Sequence, residues 1–157
     1  FSPADGALLA SASDDRKIKL WDVRSRRLVH TFEGHSRTVR SVAFSPTDGA
    51  LLASASQDKT IKLWDVRSRR LVHTFEGHSD YVVSVAFSPA DGAFLASASD
   101  DKKIKLWTAP NQKTFSPADG ALLASASGDE TIVPNKSAFS PADGALLASA
   151  SDDETIV

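Results

Sequence analysis

One block of residues is written twice along this chain almost without change, and its core returns three more times. Residues 1–36 reappear as residues 44–79 with four differences, and the string FSPxDGAxLASAS begins at Phe1, Phe44, Phe87, Phe115 and Phe139. The starts are 43, 43, 28 and 24 residues apart. A unit recurring at such a period builds its core between copies rather than inside one, so the chain is expected to fold as a stack of repeats.

Each full unit contains four short segments suited to strands and no helical periodicity. They are VRSVAF at 39–44, ALLASAS at 50–56, TIKLW at 60–64 and LVHTF at 71–75. Between the first two, Pro46 presets a turn and Asp48-Gly49 supply residues tolerant of tight geometry. Gln57, Asp58 and Lys59 join the second to the third, and DVRSRR at 65–70 joins the third to the fourth. The pattern predicts an all-β fold of antiparallel meanders. In LLASAS both alternating faces are small or apolar, which predicts a strand covered on both sides, as in sheets stacked face to face. Lys17 and Lys19 alternate with Ile18 and Leu20, which places the third strand further from the middle of the stack. Such sheets close most naturally into a ring.

Eighteen basic and 20 acidic residues give a formal net charge of -2, too close to neutral to point to nucleic acid or a membrane as the main partner. The charges are unevenly spread: residues 1–107 carry 16 basic and 13 acidic groups, residues 108–157 only 2 and 7. Without cysteine there is neither a disulfide framework nor a thiolate metal site, which fits a reducing, intracellular and cytoplasmic setting. The apolar stretches are about six residues long, so neither a signal peptide nor a membrane span is expected. The chain opens in mid-repeat at Phe1, as expected of a piece of a longer array.

The pairs Gly34-His35 and Gly77-His78, with Trp21-Asp22 and Trp64-Asp65 at the ends of the units, carry a specific resemblance to the WD-repeat β-propeller family. It covers residues 1–107, and beyond them only the FSPADGALLASAS cores and short Thr-Ile-Val ends. The resemblance implies a propeller segment of four-stranded antiparallel blades in an incomplete ring. Blades would fall at residues 1–36, 37–79 and 80–107, and truncated remnants at 115–133 and 139–157. It also implies a non-catalytic platform that docks a protein or peptide on one rim, without a cofactor, inside a larger scaffold or signalling protein. By analogy alone, repeats this alike suggest an array attached to a multidomain sensor protein.

In that family a buried network joins four residues of a blade. Carried over by position, these are His35, Ser54, Asp58 and Trp64 in the second blade and His78, Ser97, Asp101 and Trp107 in the third. The first keeps Ser11, Asp15 and Trp21 without a histidine, and the remnants keep Ser125 with Asp129 and Ser149 with Asp153. An indole N–H can donate to the serine oxygen, the hydroxyl to one imidazole nitrogen, and the other imidazole N–H to the aspartate. The same residue types could be read as a hydrolase triad. An aspartate four residues after the serine in a tight turn, with no nucleophile elbow, argues against it. His30 and His73 read as partly exposed edge residues rather than metal ligands.

The places where copies differ are Arg37/Asp80, Thr38/Tyr81, Arg40/Val83, Asp14/Gln57/Asp100 and the residues after the turn aspartate. The resemblance places Thr38, Arg40, Gln57, Tyr81, Val83 and Asp100 on one rim of the ring, the usual docking face, and their make-up suits a binding hot spot. The opposite rim would carry Arg24, Arg26, Arg27, Arg67, Arg69 and Arg70. With Asp22 and Asp65 beside them and no aromatic interleaved, these read as solvated turns rather than a phosphate site. Residues 9–24 also resemble the box with which WD-repeat substrate receptors dock on a cullin-type ubiquitin ligase adaptor, which would make Arg24 and Arg67 the docking arginines.

The pattern breaks after Trp107. Phe115 follows it by 8 residues, where Trp21 to Phe44 and Trp64 to Phe87 each take 23, so the third blade is expected to lack its outer strand. Each later core is expected to pair with its own Thr-Ile-Val end as a two-stranded hairpin. Seven blades at this period need about 300 residues, so ring closure would require missing sequence or another chain. Exposed sheet faces invite association until they are covered.

Overall fold

The computed structural model describes residues 1–3, 6–109, 136–139 and 147–150, the last two segments as backbone. Twelve strands follow one another with no helix among the described residues. They are β1 Leu8–Ala12, β2 Ile18–Asp22, β3 Arg27–Phe32, β4 Val39–Phe44, β5 Leu51–Ser56 and β6 Ile61–Asp65. Then come β7 Arg70–Phe75, β8 Val82–Phe87, β9 Phe94–Ser99, β10 Ile104–Thr108, β11 Lys136–Phe139 and β12 Leu147–Ala150. Strands are antiparallel neighbours in chain order, forming sheets β1-β2-β3, β4-β5-β6-β7, β8-β9-β10 and β11-β12. The sheets are successive meanders, and among the described residues they do not close a ring. Among the described residues β10 is the last strand of its sheet, and the expectation that this sheet lacks an outer strand falls on residues 110–135, outside the description.

Two kinds of turn set the register. The loop at 45–50 is wider than a two-residue hairpin because side chains stand in for ladder bonds. Ser45 Oγ accepts the Leu51 N–H at 3.1 Å, and Asp48 Oδ1 accepts the Ala50 N–H at 2.9 Å. Gly49, at φ +64°, closes it. Ser88, Asp91 and Gly92 repeat the arrangement. The turn between β5 and β6 is tighter and sets Lys59 at φ +72°, with Arg16 and Lys102 in the same left-handed region at φ +71° and +65°. That backbone is uncommon for a residue with a Cβ.

The core lies between sheets. Every residue of β5 is buried, and so is β9 apart from Phe94, whereas β1 of the first sheet is only half-buried. One apolar cluster joins Ile18, Leu20 and Phe32 of the first sheet to Val39, Leu52 and Trp64 of the second. A second joins Ile61, Leu63 and Phe75 to Val82, Val85 and Leu95 of the third. At each seam an outer-strand phenylalanine sits 5.3 Å, centroid to centroid, from the next sheet's tryptophan: Phe32 on Trp64 and Phe75 on Trp107.

The last hairpin pairs Lys136–Phe139 with Leu147–Ala150 and lies beside β8 and β9. Among the described residues this core pairs backward across FSPADGA, as β5 pairs with β4. Residues 154–157, the core and end at 115–133, and the side-chain pairs Ser125 with Asp129 and Ser149 with Asp153 lie outside the described residues.

Candidate functional site: buried networks at one end of the sheets

The second sheet brings His35, Ser54, Asp58 and Trp64 together from a loop, two strands and a turn. Ser54 on β5 points at β6, where the Trp64 Nε1–H donates to its Oγ at 2.9 Å. His35, on the loop leading into β4, approaches the same oxygen with Nε2 at 2.8 Å and Asp58 Oδ2 with Nδ1 at 2.7 Å. A carboxylate only accepts, so the imidazole carries its proton on Nδ1 and Nε2 receives the serine hydroxyl. Thr60 Oγ1–H donates to Asp58 Oδ1 at 2.6 Å, and the Ser36 N–H to Oδ2 at 3.0 Å. The imidazole is fully buried, and no buried side-chain nitrogen or oxygen among the described residues lacks a partner.

The third sheet repeats this with His78 on Ser97 and Asp101 at 2.8 and 2.7 Å and Trp107 on Ser97 at 2.8 Å. Lys103 stands where Thr60 does, so Asp101 Oδ1 receives only a backbone N–H, from Lys103. In the first sheet the Trp21 indole still donates to Ser11 at 3.0 Å, but Asp15 turns to the Lys17 N–H and an exposed contact with Lys19.

Electrostatics follow burial. Desolvation pushes the Asp58 carboxyl up, but hydrogen bonds from His35, Thr60 and Ser36 overcome it and hold it far below the usual carboxylate range. Asp101 is lowered for the same reasons, through His78 and the Ser79 N–H. Burial lowers His78, and Asp101 only partly offsets this. The histidine therefore sits neutral between two partners.

The networks pin the loops above them. Ser56 Oγ donates to the Arg37 carbonyl at 3.1 Å while accepting the Asp58 N–H, and the Gln57 N–H donates to the Thr38 carbonyl at 2.9 Å. Ser99 with the Asp80 carbonyl, and Asp100 with the Tyr81 carbonyl, do the same one sheet on. Val39 opposite Ser56 and Val82 opposite Ser99 put all these residues at one end of their sheets. Arg40 and Asp100 are exposed, and Thr38, Gln57, Tyr81 and Val83 are half-buried. Arg37, outside the set chosen from sequence, bridges the two sheets: its Nη1–H donates to Tyr81 Oη at 3.4 Å, with the guanidinium 6.0 Å from the ring centroid. The signal for it was present, since 37/80 is one of the places where the copies differ.

Arg24, Arg26, Arg27, Arg67, Arg69 and Arg70 are exposed at the opposite end of the strands. There Asp22 and Asp65 cap their own turns, accepting the Ser25 and Ser68 N–H groups at 2.6 Å. His30 and His73 pack edge-on against Phe32 and Phe75 at 4.7 and 4.5 Å. Among the described residues there is no cluster of histidine and carboxylate suited to a metal and no helix long and apolar enough to cross a membrane.

Stacked antiparallel meanders, the second and third each pinned by a histidine, a serine, an aspartate and a tryptophan, define the blades of a partial β-propeller. The chain belongs to the WD domain, G-beta repeat family, whose profile matches residues 2–22, 26–65 and 69–108. Pre-mRNA-processing factor 17 of Homo sapiens is 54% identical over 43 residues, which is 27% of this chain and 7% of that protein. Nuclear distribution protein PAC1 of Arthroderma otae is 46% identical over 41 residues, 26% of this chain and 9% of its own length. General transcriptional corepressor TUP1 of Saccharomyces cerevisiae is 39% identical over 44 residues, 28% and 6% respectively. The matched stretch is about one repeat long and spans less than a tenth of each relative. WD repeats generally bind proteins and generally lack catalytic activity, and membership supports an interaction scaffold in general terms.

Proposed function

We propose that this chain is a non-catalytic docking platform whose rim of Thr38, Arg40, Gln57, Tyr81, Val83 and Asp100 receives a protein or peptide. The observation that carries this reading is the bridge from Arg37 to Tyr81, which makes one continuous surface of two sheet ends that differ in sequence while the pinning bonds beneath them are the same. An aromatic and arginines over a rigid support have the make-up of interface hot spots. Against hydrolysis, Ser54 is wholly buried and its oxygen already receives the Trp64 N–H. We take residues 1–36, 37–79 and 80–107 as successive blades, with 115–133 and 139–157 as truncated remnants, in an intracellular scaffold or signalling protein. The named roles of the relatives, in pre-mRNA processing, nuclear distribution and transcriptional corepression, support that setting.

The test probes an array of peptides with the 157-residue chain and with Tyr81→Ala and Arg40→Ala variants. Rim docking predicts peptides whose binding falls at least about tenfold, the loss usual for a hot-spot side chain, with the melting temperature unchanged. Binding that survives these changes and disappears in Arg24→Ala and Arg67→Ala would transfer the function to the opposite rim and favour the ligase-adaptor reading. Turnover of a generic ester abolished by Ser54→Ala would reject the non-catalytic assignment.

A further inference from the structure

We propose that the seam between the second and third sheets selects a peptide of mixed charge, with an acidic side chain above the second sheet and a basic one, about three residues away, above the third. This rests on the docking-rim reading and adds to it the chemistry of the ligand. Both sheet ends and the seam between them fall wholly within the described residues. The two units differ at seven places between 37–64 and 80–107, and five of these are at this end of the sheets: 37, 38, 40, 57 and 60 against 80, 81, 83, 100 and 103. Three of the changes have one electrostatic sense. Arg37 corresponds to Asp80, Arg40 to Val83 and Gln57 to Asp100. Lys103 in the place of Thr60 is the one change of opposite sign, so the differing residues carry a formal charge of +2 on the second sheet and -1 on the third. Lys59 and Lys102 are alike in both units and add no asymmetry, and Lys59 Nζ is already turned across the seam to the Ser79 carbonyl at 2.7 Å.

The fold leaves these charges to a ligand. Arg40 and Val83 are the extra residues of bulges in β4 and β8, between Val39 and Ser41 and between Val82 and Ser84, and a bulge takes its side chain out of the regular alternation of the ladder. Arg37 spends one N–H on Tyr81 Oη and keeps the rest of its fork for a carboxylate. No ion pair among the described residues takes up Arg37, Arg40, Asp80 or Asp100, so the two poles do not neutralise each other. Tyr81, reached by Arg37 across the seam and half-buried, offers a ring to the residues of the peptide between its charges. The seam is closed below by the Val85 N–H donating to Ser41 Oγ at 3.4 Å. The poles therefore stand at the spacing of packed sheets, about 10 Å, which an extended chain rising about 3.3 Å per residue crosses in about three residues. Complementary charge selects the mixed peptide, and a like-charged pair would set one of its groups against a pole of the same sign.

Three fluorescent peptide libraries test this by titration with the 157-residue chain. They are identical except at two positions three residues apart, which hold one Glu and one Lys in either order, two Glu, or two Lys. The mixed library should bind about tenfold more tightly than either of the others, and added salt should shrink the difference. Two grafts between the units move the poles. Asp80→Arg with Asp100→Gln gives the third sheet the residues of the second and should shift the preference to the two-Glu library. Arg37→Asp with Arg40→Val does the reverse and should shift it to the two-Lys library. All four replacements already stand at the equivalent positions of this chain, and melting checks the fold. Should a graft fail to fold, the single changes Asp100→Gln and Arg40→Val, both at exposed residues, should move the preference in the same directions. Binding that Tyr81→Ala abolishes but that ignores peptide charge, or a preference that folded grafts leave in place, would overturn this proposal while the docking rim stands. Binding indifferent to Tyr81→Ala and to both grafts would overturn the rim reading as well.

Discussion

At the scale of single residues, what matters is how many buried partners each side chain leaves behind. Ser54→Ala strands both the Trp64 N–H and His35 Nε2 in a fully buried site. It should cost about 2–4 kcal/mol in urea unfolding, since each orphaned buried group is worth roughly 1–3 kcal/mol. Ser11→Ala, half-buried with one indole partner and no imidazole, should cost less than about 1 kcal/mol. Equal losses would mean that the histidine adds nothing. The titrations carry a second expectation. A group whose native pKa lies below its unfolded value contributes fully above the unfolded value, and the contribution drains away as pH falls through the native one. For His78 that loss begins near 6.5, and for Asp58 and Asp101 near 3.8. Urea midpoints should therefore decline in two stages on acidification, and a midpoint that rises on going below 6.5 would contradict the neutral histidine. The four residues of each network were legible because the resemblance to the WD-repeat family carries them over by position onto the second and third units. Thr60 was not, because its role in holding Asp58 Oδ1 shows only where Lys103 replaces it.

At the scale of elements, strand segments were legible from alternation and turn residues, and turn conformations were not. Asp48-Gly49 suggested a tight hairpin, but Ser45 and Asp48 take backbone N–H groups with their side chains and hold a wider loop. The left-handed backbone at Lys59 had no sequence signal, because lysine is a poor choice there. It persists because the Lys59 N–H still reaches the Ser56 carbonyl at 3.2 Å and the flanking Asp58 is locked in the network. Lys59→Gly should accordingly stabilise the protein by about 0.5–1 kcal/mol, the left-handed penalty being larger than the chain entropy that glycine adds to the unfolded state. Thermal melting checks the sign. The reverse applies to Gly34, at φ +151° with a Cβ place 3.2 Å from the Trp64 ring. Gly34→Ala adds backbone strain to overpacking and should cost about 1–3 kcal/mol, which explains why a glycine precedes each network histidine.

At the scale of the whole molecule, a stack of sheets distributes stability along one dimension, because each sheet touches only its neighbours. The period announced this much, but the chemistry of the seams was hidden: nothing in LVHTF says that its last phenylalanine leaves its own sheet to sit on the next tryptophan. The two seams use equivalent residues yet separate contacts. Phe32→Ala should loosen only the first seam and Phe75→Ala only the second, each costing about 3–5 kcal/mol by loss of a buried ring. Hydrogen exchange resolves the two. With Phe32→Ala, protection should fall across β1 to β3 while β8 and β9 keep theirs, and with Phe75→Ala the loss should move to β8, β9 and β10. Because the seams share no side chain, the effects in the double variant should add to within about 0.5 kcal/mol. A cooperative collapse of all three sheets in either single variant would mean that the molecule behaves as one indivisible core, and the repeat description of its energetics would have to be abandoned.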